Sequence, residues 1–335
     1  VPSHPKCTLR QGVISEISHH TNNMITILSG FDYIFSIFDY KIKKNFNIDE
    51  NLITNLKIID DINVTEALLD KIHEIGRENN LEYVEGPVGF SNLDKVGILT
   101  EGFNEIGNMI TWHNQPYYAS HFKALEYDIA KSYSENKMEF KNIKPEFFSR
   151  IQQLIKKRYQ LKSLVFKTNK EILPYTDDMF DVFSKSHSVL SSFVDINDEQ
   201  KEYFKKKFIG FLNPEYVKFV LDKDDKLIAF GIVTPSYARA LQKMKGKLFP
   251  FGFRHLLHAK KHAKTVTFYL IGVLPEYQNK GVTAIIFEEF YKSFKEKQIE
   301  LCIRGPELDN NVAIQQLWKN FKPVTHKRRC TFKKD

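Results

Sequence analysis

The stretch INVTEALLDKIHEIGREN (62–79) sets Val64, Ala67, Leu68, Ile72 and Ile75 at helical spacing among polar residues. That spacing predicts an amphipathic helix, and Asn63 with Glu66 fits a capping box at its start. The period then changes. LEYVEGPVGFSN (81–92) reads as a short strand stopped by Gly86 and Pro87, followed by the aromatic segment MITWHNQPYYASHFKALEYD (109–128). ITILSGFDYIFSIFDYKI (25–42) also looks like strands, without borders that the pattern defines.

SYSENKMEFKNIKPEFF (132–148) is polar and aperiodic, as a linker is, and enters a helix near Pro145. Beyond it the pattern predicts a strand at 163–167, helices at about 172–186 and 198–211, and a hairpin, YVKFVLDKDDKLIAFGIV (216–233), turning at Asp222–Asp225. A helical and aromatic insertion (236–263) precedes the strand TVTFYLIGV (265–273), the helix GVTAIIFEEFYKSF, the strand QIELCIRG, the helix NNVAIQQLWKNF and a closing strand near KRRCTFKK. The expected divisions are a domain at 1–135, a linker and helix at 136–160, and a second domain at 161–335. Helix, strand, Gly-Pro and an aromatic-rich segment occur in the same order at 62–128 and 281–321, which points to an internal duplication.

The length of 335 residues fits two domains of about 150 each. No run approaches the roughly 18 apolar residues of a membrane span, and VPSHPKCTLRQ lacks the basic-then-apolar order of a signal peptide. A cytoplasmic protein is expected, and the non-Met start suggests that part of the chain was removed or omitted. Cys7, Cys302 and Cys330 are too far apart to suggest a metal knuckle or a disulfide framework. Charge alters the picture more. Residues 1–140 hold 12 Lys+Arg against 20 Asp+Glu, so the rest of this +8 chain is strongly basic. An anionic partner for the second part fits (a phosphorylated cofactor, an acidic carrier protein or nucleic acid), as does docking of the two halves on each other.

GVLPEYQNKGVTAIIFEEF (272–290) passes from a β-branched run into a helix with almost no loop. A helix N-terminus placed at a strand end directs unpaired N–H groups and partial positive charge outward, which makes an anion site. Gln278, Asn279, Lys280, Gly281, Val282 and Thr283 supply a row of backbone donors. Lys280 adds charge, and Gly281 permits an unusual dihedral and close approach. A single glycine excludes the Walker A and Rossmann fingerprints. The stretch resembles motif A of the GNAT superfamily, the acyl-CoA-dependent N-acyltransferases, V-x-P-x-x-[QR]-x-x-G-x-[GA]. Here it is carried by Val273, Pro275, Gln278 and Gly281, with Thr283 departing at the last position. A second landmark of that superfamily, N-x-x-[AI]-x-x-L-[YF], aligns with Asn311, Ile314, Leu317 and Trp318. The strings GPVGFSN, DKVGILTEGFNE, NQPYY, RALQKMKGKLFPFGF and YLIGVLPEYQNKGV resemble those of uncharacterised bacterial tandem GNAT proteins. The resemblance implies an α/β fold of two GNAT-like mixed domains in tandem, the N-terminal one degenerate.

It also implies acetyl-CoA or another acyl-CoA as cofactor, with its pyrophosphate on residues 278–283 and its pantetheine arm along the backbone of Ile271 and Val273. The acceptor class is a small-molecule amine or a peptide N-terminus. Such an amine must lose a proton. Strand alternation places Thr265, Thr267, Tyr269, Ile271 and Val273 on one face, where Tyr269 is the side chain suited to proton transfer or to holding a relay water; a core aromatic is the plainer alternative. Trp318 occupies the place of the family's acid Tyr. Its indole N–H is no practical proton source, and a packing role fits equally. Asn311 counts with Tyr269 and Trp318 as a catalytic candidate through the landmark.

Trp112, Tyr117 and Tyr118 are candidate substrate-binding residues in a pocket wall between the halves, or core. His255, His258 and His262 share a helical face without a nearby carboxylate or Cys, which favours a solvated basic face over a metal site, and no metal is expected. KGKLFPFGFRHLL (245–257) suits a lid over a long acyl chain, a docking patch for an acidic acyl carrier protein, or a buried insertion. Two rival functions remain. A non-catalytic acyl-CoA sensor is compatible with Trp318. A nucleic-acid binder using the basic C-terminal half and HKRR (326–329) is disfavoured, because the basic residues are not interleaved with aromatics.

Overall fold

The computed structural model of the chain describes residues 60–335 except 79–81, 89–92, 94, 190–192, 194–195, 197, 206–211 and 246. The strand-like run at 25–42 lies outside the described residues. The elements are α1 (Ile62–Glu78), β1 (Val84–Gly86), β2 (Ile98–Glu101), α2 (Tyr117–Ala124), β3 (Asp128–Glu139), α3 (Glu146–Tyr159), β4 (Lys162–Val165), α4 (Asn169–Ile172), α5 (Thr176–His187), α6 (Asp198–Phe204), β5 (Val217–Leu221), β6 (Leu227–Pro235), α7 (Ala238–Lys243), α8 (Gly252–His262), β7 (Thr265–Val273), α9 (Thr283–Glu296), β8 (Leu301–Leu308), α10 (Val312–Trp318) and β9 (Val324–Lys334). No helix among the described residues is long and apolar enough to cross a membrane.

Two compact units divide the described chain. Unit 1 holds the residues up to Ser134 with Leu308–Asn310 and His326–Asp335, and unit 2 holds Glu135–Glu307 with Asn311–Thr325. Residues 136–160, expected as a linker and helix, form the end of β3, a single 3-10 turn and α3, all within unit 2.

In unit 1, β1 and β2 pair antiparallel with the end of β9. Leu69, Ile98, Tyr118, Phe122, Tyr127, Cys330 and Phe332 form the core. The Asp61 carboxylate accepts the Asn63 amide at 2.9 Å, so Asp61 caps α1 and the capping box expected of Asn63 and Glu66 starts two residues too late. HKRR changes meaning here. Lys327 and Arg329 are fully buried, donating to the Ile106 carbonyl (2.8 Å) and to the carbonyls of Gly97 and Trp112. Arg328 pairs with Asp309 at 3.2 Å. Lys327 and Arg329 thus serve the interior of unit 1, and of the three Lys and Arg side chains in HKRR only Arg328 is exposed.

In unit 2, β4, β5, β6 and β7 are antiparallel neighbours, and β7 then meets β8 in parallel. The β5–β6 turn is closed by Asp222, whose carboxylate accepts the amides of Asp224 and Lys226 at 2.9 and 3.0 Å. The sheet is covered on both faces, as the uninterrupted burial of β5 and β6 requires. On one side a Cβ at Gly231 would meet Ile286 and Phe290 of α9 at under 3 Å, so glycine sets how closely that helix lies on the strand. On the other side Gly272 faces Ser186 of α5. Phe268, Phe287, Phe290, Phe294, Trp318 and Phe321 fill the space beneath α9 with mostly edge-to-face contacts.

One charge sits inside this layer. Lys218 on β5 is buried under α9 and donates to Ser293 Oγ at 2.8 Å. Burial pushes its ammonium down to about 8, against the pull of Glu289 and Glu215. A lysine whose folded pKa lies below its unfolded value destabilises the fold fully below pH 8, and the penalty fades as pH rises from 8 towards 10.5. Lys218→Met is therefore expected to raise stability near pH 7 by on the order of 2 kcal/mol. Calorimetry near pH 7 and near pH 10 checks this, and a gain that stays constant between the two overturns it.

Candidate functional site

β7 pairs with β8 only at Thr265, Val266 and Thr267. From Phe268 onward, among the described residues, β7 keeps its antiparallel partner β6 but has no strand on its other side. The backbone groups of Phe268–Val273 that face away from β6 therefore line an opening. The register with β6 jumps from Ile232↔Leu270 to Val233↔Phe268, so Tyr269 is the extra residue of a β-bulge. The bulge reverses the alternation expected from sequence. Val266 and Phe268 share the α9 face with Ile271 and Val273, whereas Thr265 and Thr267 point to the opposite face. Tyr269 is thus not one member of a row from Thr265 to Val273.

The strand runs into a 3-10 turn, Pro275–Tyr277, and then into α9. Asn279 and Gly281 both adopt left-handed backbone, φ 58° and 75°, on either side of Lys280. Alternation of this kind turns successive N–H groups to one side, forming an anion-binding nest. The Gln278 amide is spent on the carbonyls of Leu274 and Pro275, and its side chain donates to the Val273 carbonyl at 3.1 Å. Lys280 N–H reaches the Tyr277 carbonyl at 3.4 Å. Among the described residues no hydrogen bond occupies the amides of Asn279, Gly281, Val282 or Thr283, and no side chain caps α9 at Val282. Four of the six expected donors are therefore available, and Gln278 acts as a brace. The chain's own atoms fit a phosphate group here: free amides, a helix N-terminus, and the Lys280 ammonium over the rings of Tyr159 (5.4 Å) and Tyr277 (5.2 Å).

Gly281 adopts the unusual dihedral expected of it, φ 75°, and its open side faces a helix of the fold. A Cβ there would point at Ile151 and Ile155 of α3, 3.5 Å away, and not into open space. The glycine serves its left-handed φ and sits against the helix behind the loop, so Gly281→Asp would drive a carboxylate into isoleucines and disturb the fold as well as the loop.

Beside the opening lies a group that the sequence did not reveal. Arg304 and Glu307 on β8 form a buried ion pair. The Arg304 guanidinium lies over the Trp318 ring at 5.2 Å, and Trp318 meets Phe268 edge-on at 4.9 Å, at the residue where β7 leaves β8. Burial pushes the Glu307 carboxyl up to about 7, and Arg304 draws it back only in part. The Trp318 N–H faces Glu307 and favours its anion, yet lies outside hydrogen-bonding geometry, so the indole nitrogen is buried without a partner. Trp318 is 2 % exposed and packs with Phe287 and Phe321. Asn311 is the N-cap of α10, its Oδ1 accepting from the Ile314 amide at 3.2 Å. The carboxamide is committed to that turn.

Trp112, Tyr117 and Tyr118 belong to unit 1. Tyr118 is in its core with Tyr117 stacked on it at 5.0 Å, and Lys95 lies over Trp112 at 4.1 Å. His258 and His262 adjoin on α8, ring centroids 4.8 Å apart, and no group of three metal-binding side chains occurs among the described residues.

No family model matches the chain. Over 287 residues, 82% of this chain and 72% of the relative, it is 21% identical to Protein YghO of Escherichia coli strain K12. Among solved structures it is similar to a GCN5-related N-acetyltransferase from Sphaerobacter thermophilus, with 8% identity, TM-score 0.44, and coverage of 81% of this chain and 67% of that one. It is also similar to a tandem GNAT protein from the clavulanic acid biosynthesis pathway, with 9% identity, TM-score 0.43, and coverage of 81% and 69%. Within unit 2 itself, the parted strands, the bulge and the left-handed turn before α9 lie on one continuous run of chain.

Lys280→Glu tests the loop without touching the core, because Lys280 is exposed. The variant is expected to melt like the parent, within about 0.5 kcal/mol. Its response to coenzyme A in a thermal-shift titration is expected to weaken by about tenfold or more. An unchanged titration removes the loop from phosphate binding.

Proposed function

We propose that unit 2 is an N-acyltransferase that takes an acyl group from acyl-CoA and passes it to a primary amine. The observation that carries this reading is the release of β7 from β8 after Thr267, directly upstream of an uncapped helix with unoccupied amides. The amides of Asn279, Gly281, Val282 and Thr283, with Lys280, would hold the pyrophosphate. The edge of β7 at Ile271 and at the Val273 N–H would offer backbone partners to an extended arm and donors to a developing oxyanion, the Val273 carbonyl being held by the Gln278 side chain. Acyl-CoA supplies an activated thioester carbonyl.

The amine nitrogen forms a bond to that carbonyl carbon, the C–S bond breaks, and the thiolate carries away the electron pair. One proton must leave the nitrogen. Glu307, with a carboxyl pushed up to about 7, is the group suited to receive it, and Arg304 holds it in place. Tyr269 remains a candidate for relay through water. No acid is required of Trp318, because a thiolate leaves without full protonation. Trp318 acts through packing, as the plate on which Arg304 rests.

The test is product formation from acetyl-CoA and longer acyl-CoAs with a panel of small amines and peptides. Glu307→Gln is expected to lower kcat/KM by about 10²–10⁴-fold and to remove an acidic limb near pH 7 from the rate profile, while coenzyme A still raises the melting temperature. A coenzyme A response without product from any amine would point to a sensor. Absence of any coenzyme A response refutes the acyl-transfer reading.

A further inference from the structure

The insertion between β6 and β7 contains, from Ser236 to Lys264, eight Lys and Arg residues, three His and no Asp or Glu. It also concentrates the exposed apolar surface. Of the fifteen large hydrophobics exposed among the described residues, six lie here: Leu241, Leu248, Phe249, Phe251, Phe253 and Leu257. Phe249 is 76% exposed and Phe251 67%. The buried insertion that the sequence allowed is thus the opposite of what forms.

These side chains are held out by a built turn. Lys247 N–H bonds the Met244 carbonyl at 2.9 Å, Phe253 N–H the Leu248 carbonyl at 3.0 Å, and Arg254 N–H the Phe251 carbonyl at 3.1 Å. Gly252 is buried, with a would-be Cβ 1.9 Å from the Lys247 carbonyl, so the turn closes only around a glycine. Met244 and Ala240 anchor the base. On α8 the exposed arc carries Phe253 and Leu257 together, with Arg254 and Lys261 on one flank and the partly exposed Lys260 on the other.

We propose that this turn and α8 form a docking surface for an anionic lipid bilayer. Large apolar tips standing out among basic residues match the depth profile of a membrane interface, where rings enter the headgroup boundary and ammonium groups meet lipid phosphates. A specific protein interface asks for roughly 800 Å² per partner with complementary polar contacts. The tip at 248–253 offers a narrow apolar point within a field of one sign, a form suited to a fluid anionic surface. An acidic protein such as an acyl carrier is the competing partner. The proposal is independent of acyl transfer, since it uses neither the loop at 279–283 nor Glu307.

The experiment is co-sedimentation of the full chain with vesicles of phosphatidylcholine alone and of phosphatidylcholine with about a third phosphatidylglycerol. Binding is expected only to the anionic vesicles and is expected to weaken as salt is raised. Phe249→Ser with Phe251→Ser, both on exposed side chains, should lower vesicle affinity by on the order of tenfold per ring. Lys245→Glu with Lys247→Glu should lower it by at least about 25-fold, at about fivefold per basic charge lost. Unchanged melting temperatures keep folding out of the result. Equal binding to both vesicle types, indifference to the Phe substitutions, or binding to an acidic acyl carrier protein without binding to vesicles overturns the proposal.

Discussion

The parting of β7 from β8 is the constraint on which the rest of unit 2 depends. Three residues of parallel pairing hold the strands together and then stop at Thr267, although β8 continues to Leu308. Backbone polar groups left without a partner need solvent or a ligand. On the α9 face, Phe268 packs against Trp318 and Trp318 against Phe287, and Arg304 lies over the Trp318 ring. Trp318 is a packing residue here, and the bulge at Tyr269 adjusts the twist of β7 as it leaves β8.

Buried charge is the second theme, and each case is satisfied differently. Lys327 and Arg329 donate to backbone carbonyls, which is an inexpensive way to keep a cation inside. Lys218 has a hydroxyl partner and is pushed towards neutrality. Arg304 and Glu307 have each other, yet the Glu307 carboxyl still rises and the Arg304 Nε is left unpartnered. Incomplete satisfaction of this kind is unfavourable for stability and is common where chemistry is done. By contrast, the basic residues of the insertion surround exposed aromatic rings at the surface.

The run from β7 through the turn to α9 was legible in the chain because its period switches abruptly at Leu274 and Gly281 marks a left-handed position. The hairpin about Asp222 was legible for the same local reasons. Glu307 was not, since nothing in QIELCIRGPEL distinguishes a carboxylate that is buried from one in water. HKRR looked like a surface run because four basic residues in a row suggest solvation, whereas in β9 Lys327 and Arg329 each reach a carbonyl inside unit 1.

By itself the amino-acid order determined where the β7 strand gives way to the α9 helix and where the hairpin turns at Asp222, because those features rest on local dihedral and hydrogen-bonding preferences. Tertiary structure alone decided that Tyr269 is a bulge, that Gly281 faces Ile151 and Ile155, that Asn311 is a cap, and that Phe249 and Phe251 stand in solvent. Register and burial depend on which distant segments meet, and no local pattern contains that information.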